Sequence, residues 1–503
     1  MRIPSESELL ELADRFGIEL DDEEVAAVQT QVARNLDGLD AATSTSLGGT
    51  ETADVGARSW REPADDPYNA IATACDVPPK TDGSERLADV DVGVKDIVAV
   101  AGVPMQCGSN AMRGYIPGFD ATVVDRLRGA GATIAAKTNL DEFAGGSRAV
   151  SADGQMRHPH DPAHVPGGSS GGSAIAVATD RVDVALGTDT GGSIRMPASH
   201  CGIVGLKPTY GLAPLDGIVE NTYTLDHVGP MTSTVRDAAT VLEIIAGKTR
   251  DDPASMQAAG RDDYAVGGYV DAAEAPPDLS DVTLGVVKEG FGNGTAEQSV
   301  EDAIVTRTRA ALDDLADAGA TLRSVSIGHY EDAAPVKYVL SYAELAAHWR
   351  DGGAPYRRGG SVDPNYQASF ARSTRAASAE VNEYYRARLL AGAQLVEAHN
   401  GRHYTRALAA ARDLEAEFDD AASGVDALVT PTMPSTAPTV EEAKQPGFNY
   451  ARNTLPANVT GRPAITLPNG RVEGLPTGLQ LLGGSFDERR LLGVAAAAES
   501  LLE

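Results

Sequence analysis

Apolar residues near the N-terminus recur at helical intervals. Ser5 and Glu8 are spaced as a capping box ahead of Leu9, Leu10 and Phe16, with Gly17 as a stop, so a short helix is predicted there. Asp21, Asp22, Glu23 and Glu24 then stand where the dipole of a second helix favours anions, and Val25, Val28, Val32, Leu36 and Leu39 step by three or four residues. That second helix is amphipathic. Residues 41–59 are small and polar without a period and read as a linker. The expected organisation is therefore a helical module with its linker over 1–66 and a larger domain over 67–503.

From about residue 68 the pattern changes to short β-branched runs alternating with helical stretches. Strands are predicted at 92–100 and 133–136 around a helix at 120–128, with Gly129 and Gly131 as breakers. A helix at 172–179 leads to a strand at 182–186, and 282–287, 298–318 and 321–327 make a further βαβ unit. The fold class that follows is α/β, a central mixed or parallel sheet flanked by helices, preceded by the helical module.

Composition adds a core and an unusual surface. Of 503 residues, 42% are apolar and 23% charged, enough to bury a sizeable interior. The net charge is -30 and the pI about 4.6, which makes nucleic acid a poor partner. Only eight of the 42 basic residues are lysines. We read a salt-adapted surface, because at a Debye length of about 3 Å in strong salt such self-repulsion is largely screened. Cys75, Cys107 and Cys201 are odd in number and lack a C-x-x-C pair, which fits neither a disulfide framework nor a zinc site and suggests a reducing cytoplasm. The N-terminal MRIPSESELLELADRFG carries acids where a signal peptide needs a basic and then an apolar stretch. No run approaches the ~18 apolar residues of a membrane span, so no membrane partner is expected.

Candidate chemistry concentrates in residues 166–174, PGGSSGGSA, a composition that neither helix nor strand favours. Gly167 and Gly172 have the spacing of a phosphate loop, but Ser173 stands where that loop needs lysine. The segment also satisfies G-x-S-x-G, with His227 as the downstream partner a nucleophile elbow would need. Its approach, RHPHDPAHVP, is kept from being a strand by Pro159, Pro162 and Pro166. A third reading joins it to a second glycine-flanked serine, Ser193, in GTDTGGSIRMP. An acyl-transfer site needs a nucleophile, a group to take its proton, and donors aimed at the developing oxyanion, and the backbone N–H groups of Thr190, Gly191, Gly192 and Ser193 could be those donors.

With these blocks the sequence resembles the amidase signature family. The resemblance rests on GVKDIV (93–98), PGGSSGGSA (166–174), GTDTGGSIRMPASHCGIVGLKPTYG (187–211), VTGRPAITLP (459–468) and GLPTGLQLL (474–482), and covers most of residues 70–503. The helical N-terminal module and DHVGPM (226–231) look most like the broad-specificity bacterial amidases, here in an acidic, halophile-type variant. The resemblance implies Ser193 as nucleophile, Ser169, 24 residues upstream, as a bridging serine held by a cis peptide, and Lys95 as the base behind it. It further implies Thr190, Gly191, Gly192 and Ser193 as the oxyanion hole and Ser170, Asp189 and Arg195 as supporting groups. The implied reaction is hydrolysis of a linear carboxylic amide to carboxylate and ammonia through an acyl-enzyme, without metal or cofactor. The implied partner is a small-molecule amide, and the expected assembly is a homodimer through the N-terminal helices.

Lysine accepts a proton only when neutral, and bringing its pKa from about 10.4 to about 7 costs roughly 4.6 kcal/mol, which burial must supply. Lys95 ends an apolar run, and strand alternation points it away from the neighbouring Asp96. Plainer readings stand beside these. Lys137 and Lys207 are rival lysines, Lys207 better suited to tying down a turn; His158, His160 and His164 read as solvated loop histidines; Cys201 reads as a small buried filler; Arg195 could be a structural hub. Two other functions compete: the glutamine-hydrolysing amidase subunit of an aminoacyl-tRNA amidotransferase, and a non-catalytic binding protein on the same fold.

Overall fold

The computed structural model describes residues 2–36, 55–292, 299–354, 363–376, 380–445 and 451–502. The chain divides into two compact units, Met1–Thr50 and Glu51–Glu503. In the first, helices Glu6–Arg15 and Asp22–Leu36 form where the apolar spacing places them. The Ser5 hydroxyl accepts from the Glu8 amide at 3.3 Å while the Glu8 carboxylate accepts from the Ser5 amide at 2.8 Å, a reciprocal cap. Leu9, Ala13 and Val25 are buried, and the Gln29 side-chain amide donates to the Pro4 carbonyl at 3.0 Å. Leu39 and residues 41–54 of the expected linker lie outside the described residues.

Among the described residues the second unit has fourteen strands: β1 Ser59–Arg61, β2 Ile71–Val77, β3 Asp91–Lys95, β4 Thr133–Thr138, β5 Val150–Ser151, β6 Gly154–Gln155, β7 Val184–Asp189, β8 Val204–Lys207, β9 His227–Thr232, β10 Thr283–Val287, β11 Thr321–Val325, β12 Ala427–Pro431, β13 Ala464–Val472 and β14 Leu475–Leu482. Twelve form one sheet in the order β1-β2-β4-β3-β7-β9-β8-β13-β14-β12-β10-β11, while β5 and β6 make a separate hairpin. The sheet is mixed: β4-β3-β7 run parallel, β9 returns antiparallel beside β7, and β12-β10-β11 are parallel again. Helices flank it, so the chain is an α/β protein of the expected class. No helix among the described residues is long and apolar enough to cross a membrane.

Most predicted elements sit within a few residues of their expected places. The exception matters: the strand expected over 92–100 ends at Lys95. There the chain turns, with the Val98 amide on the Lys95 carbonyl and the Cys107 amide on that of Asp96. The apolar residues Ile97 to Val100 are buried without being strand, because burial needs only an apolar neighbourhood and not a ladder. Alternation holds across the strand end: Asp96 accepts from Lys137 Nζ at 2.7 Å, both fully buried, while Lys95 points to the other face. Helix Gly171–Ala178 then follows the first serine loop directly, and its first residues lie against Ala70, just before β2, and against Thr138 and Asn139 at the end of β4. A side chain at Gly172 would place Cβ 2.4 Å from the Ala70 carbonyl oxygen and 2.5 Å from the Asn139 backbone. Gly172→Ala is therefore expected to destabilise the protein by about 3 kcal/mol or more, since backbone cannot yield as a side chain does; urea unfolding measures it.

Candidate active site

The two serine loops meet at the ends of β3 and β7. Lys95, the last residue of β3, has no exposed surface, and its Nζ donates to Ser169 Oγ, Ser170 Oγ and Thr188 Oγ1, each at 2.8 Å. The Ser170 amide donates to the Ser193 carbonyl at 3.2 Å, which fastens the first loop to the second. The peptide between Gly168 and Ser169 is cis. Thus Lys95, Ser169, Ser170 and Ser193, proposed from sequence, come together in one place.

Proton inventory distinguishes the hydroxyls. Ser170 Oγ donates its hydrogen to the Thr188 carbonyl at 3.1 Å and accepts from the Thr188 amide and from Lys95. Its proton is spent, so it orients the lysine. A neutral lysine has two N–H donors and one lone pair, and the Ser169 hydroxyl is placed to fill that lone pair. Burial brings the Lys95 pKa down to about 7 against the opposing charges of Asp141, Asp189 and Asp226.

The second loop is held by Asp189, at the end of β7. Its carboxylate accepts from the Gly192 amide at 2.7 Å, the Ile194 amide at 3.1 Å, and Arg195 Nε and Nη2 at 3.1 and 3.0 Å. Burial alone would raise this carboxyl, but the Arg195 guanidinium outweighs it and holds the group well below the usual carboxylate range. Arg195 also donates to Gln480 at 2.8 Å and Asn458 at 2.7 Å, and Asn458 returns a bond to Asp189 at 2.8 Å. This corrects one expectation. The Gly192 N–H, assigned to the oxyanion cradle, is engaged by Asp189. Among the described residues the Thr190, Gly191 and Ser193 amides have no protein acceptor. Gly192 instead supplies backbone freedom, at φ +118° with no room for a Cβ beside Thr454.

Several contributors escaped the sequence reading. Thr188 lies inside GTDTGGS and completes the lysine's three oxygens. Asp226 accepts from Thr190 Oγ1 at 2.5 Å and from the Asn221 and Thr222 amides, and burial raises its carboxyl to about 7. Asp141 sits against the first loop, its amide donating to the Ser169 carbonyl at 3.3 Å, and burial raises it to about 6. Gln480 was legible in principle, as the lone polar residue in the apolar run LQLL; Asn458 gave no local signal.

Rival readings fall to other places. Lys207 donates to the Pro208 carbonyl at 2.9 Å, inside a turn. His158 is fully buried rather than solvated, with Nε2 on the His200 carbonyl at 2.8 Å and Nδ1 accepting the amides of His160 and Asp161; burial lowers its pKa to about 4. The prolines that argued against a strand fold this segment inward. His227 bonds through Nδ1 to the Leu225 and Asp189 carbonyls, and its Nε2 has no partner, so it serves no serine. Cys201 is buried.

Ser193 opens onto a cleft of about 570 Å³ lined also by Thr190, Gly191, Asn221, Lys337 and Arg388. Backbone donors, a desolvated amine on the Ser169 hydroxyl and a second serine on a loop bonded to the first can carry acyl transfer beside such a cleft.

Known proteins share this arrangement of elements. The family model Amidase matches residues 42–492. A glutamyl-tRNA(Gln) amidotransferase subunit from Halobacterium salinarum is 38% identical over 436 residues, 86% of this chain and 99% of that protein. The native peptide amidase of Stenotrophomonas maltophilia superposes with a TM-score of 0.67 at 32% identity over 83% of each chain. A further crystal structure of an amidase covers 99% of this chain and 95% of its own, with a TM-score of 0.68 at 27% identity. A match over this much of the chain, to enzymes that act on carbon–nitrogen bonds, means that the protein belongs to the Amidase family.

Proposed function

We propose that the protein hydrolyses a carboxylic amide to carboxylate and ammonia through an acyl-enzyme on Ser193. The observation that carries this is the buried Lys95 amine on the Ser169 hydroxyl at 2.8 Å, on a loop bonded to that of Ser193. The Ser193 hydroxyl attacks the amide carbon while its proton moves to Ser169, whose own proton moves to Lys95. The oxyanion is received by the Thr190, Gly191 and Ser193 amides. The proton returns by the same route to the leaving nitrogen, the C–N bond breaks, and water repeats the sequence on the ester to release the acid and restore Ser193. Ser170, Asp189 and Arg195 act by holding the lysine and the loop.

A fluorophosphonate is expected to label Ser193 alone, and an amide with hydroxylamine to yield the hydroxamate, both read by mass spectrometry. An unlabelled, folded protein would instead favour a non-catalytic binding role.

A second reading rests on names and lengths. Amidotransferase subunits such as those of Halobacterium salinarum and Natronomonas pharaonis, matched over 99% of their length, favour a glutamine-hydrolysing subunit over a free amidase. Coverage of 99% of this chain by a solved amidase, N-terminal unit included, favours the free enzyme. Native mass separates them: a homodimer through the N-terminal helices for the free amidase, a heteromer for the amidotransferase component. The assay belongs in strong salt, given the charge of -30 and a proposed cytoplasmic, halophile-type setting.

A further inference from the structure

Helices Ala333–Arg350 and Glu383–His399 also line the Ser193 cleft. Each contributes one cation. Lys337 is 8% exposed and Arg388 7%, and both line the cleft. A Cβ at Gly191 would lie 3.2 Å from Lys337 Cε and 3.8 Å from its Nζ, so this ammonium stands beside the oxyanion loop. Arg388 Nη1 reaches to 3.0 Å from a Cβ at Gly145, on the adjoining rim.

Neither side chain is paired with a carboxylate among the described residues. Lys337 has no hydrogen bond or salt bridge among the described residues, and its nitrogen is 5.1 Å from the Tyr338 ring centre. Arg388 meets the Ser341 hydroxyl at 3.3 Å and lies 5.5 Å from the Tyr342 ring centre, again with no carboxylate. The nearest buried acids are committed elsewhere, Asp189 to Arg195 and Asp226 to Thr190 and two backbone amides. Burial, then the charge of Arg388, brings Lys337 down to about 7, so a carboxylate bound beside it would draw the amine to its charged form. In a chain of net charge -30 with many carboxylates to spare, two unpaired cations in one cleft form a local positive well. Conversely, no described residue lining the cleft carries a carboxylate, so a substrate ammonium would find two like charges and no counter-ion.

We propose that Lys337 and Arg388 form an anion subsite for the far end of the substrate, so that the enzyme takes the ω-monoamide of a short dicarboxylic acid in preference to neutral amides and to α-amino acid amides. This rests on the amide-hydrolase reading above and deepens it. A short chain suffices, since the Lys337 nitrogen is already next to the loop that receives the oxyanion.

The test compares glutaramate, valeramide and glutamine as substrates of the wild type, Lys337→Met and Arg388→Gln in strong salt. Glutaramate is expected to exceed both others in kcat/KM by about tenfold or more, and each variant to lose about tenfold on glutaramate while changing little on valeramide. Calorimetry with Ser193→Ala supplies a readout independent of turnover: glutaramate should bind, and the added Lys337→Met should weaken it by a similar factor. Equal or better use of valeramide or glutamine, or glutaramate binding indifferent to both cations, overturns the subsite while leaving amide hydrolysis intact. Loss of Ser193 labelling and of all three activities would instead strike the reading beneath it.

Discussion

Alanine at position 193 is expected to reduce amide turnover by about 10⁶-fold, the order seen when a serine hydrolase loses its nucleophile. No neighbouring group can substitute for it. Ser170 has given its proton to the Thr188 carbonyl, and Ser169 is held at the lysine. The replaced hydroxyl lies on the cleft wall and the loop is fastened through backbone groups of residues 192 to 194, so the variant should fold as the parent does. The measurement is ammonia release at saturating amide, with circular dichroism to verify folding and fluorophosphonate labelling to verify the loss of the adduct. Turnover retained within tenfold would mean that another atom attacks the amide.

Methionine at position 95 is the second large effect, an expected fall of about 10³ to 10⁴-fold, the reach of general acid–base catalysis. It also has a signature that a merely structural role lacks. Because Lys95 must be neutral to accept a proton and titrates at about 7, the parent's kcat/KM on the neutral valeramide should rise with pH through about 7 and level off above it. Protonation below that point fills the lone pair. Asp141 and Asp226 titrate at about 6 and about 7 in the same neighbourhood, so the variant decides the assignment: its residual activity should lose the limb set by the lysine. An unchanged limb would assign it to a carboxyl group or to Lys337, which also titrates at about 7 in the cleft. Stability should follow its own pH dependence. The folded pKa of Lys95 lies below its unfolded value of about 10.5, so the unfolded chain binds more protons between those values and the lysine's contribution to stability improves as pH rises across that interval.

How much of this the sequence disclosed follows from the range of each interaction. Ser169 and Ser193 were accessible because each sits in a glycine-rich segment whose composition is odd for any regular element, whereas Lys95 ends an ordinary apolar run and was singled out, like the role of Ser169, through the resemblance to the amidase signature family. The helix caps were accessible too, being contacts three residues apart. The strand ending at Lys95 rather than residue 100 was not, since an apolar run signals burial and says nothing of where a ladder stops. Asn458 and Gln480 bond Arg195 across 263 and 285 residues, a separation at which no local pattern points to the partner. His158 was misplaced for a related reason: a proline-rich polar segment looks solvated unless the backbone acceptors that bury it, here the carbonyl of His200, are known. Lys337 and Arg388 lie on helices with ordinary composition, and only the fold turns them toward Ser193.

The clamp on Arg195 also bears on the order in which the ribosome delivers the site. A nascent chain has Ser193, Ser169 and Lys95, the residues proposed as nucleophile, relay and base, long before Asn458 and Gln480 leave the exit tunnel, and until then the guanidinium lacks two of its three side-chain partners. Reactivity at Ser193 is expected to be withheld until both have emerged, so a nascent chain stopped before residue 458 should not take up a fluorophosphonate.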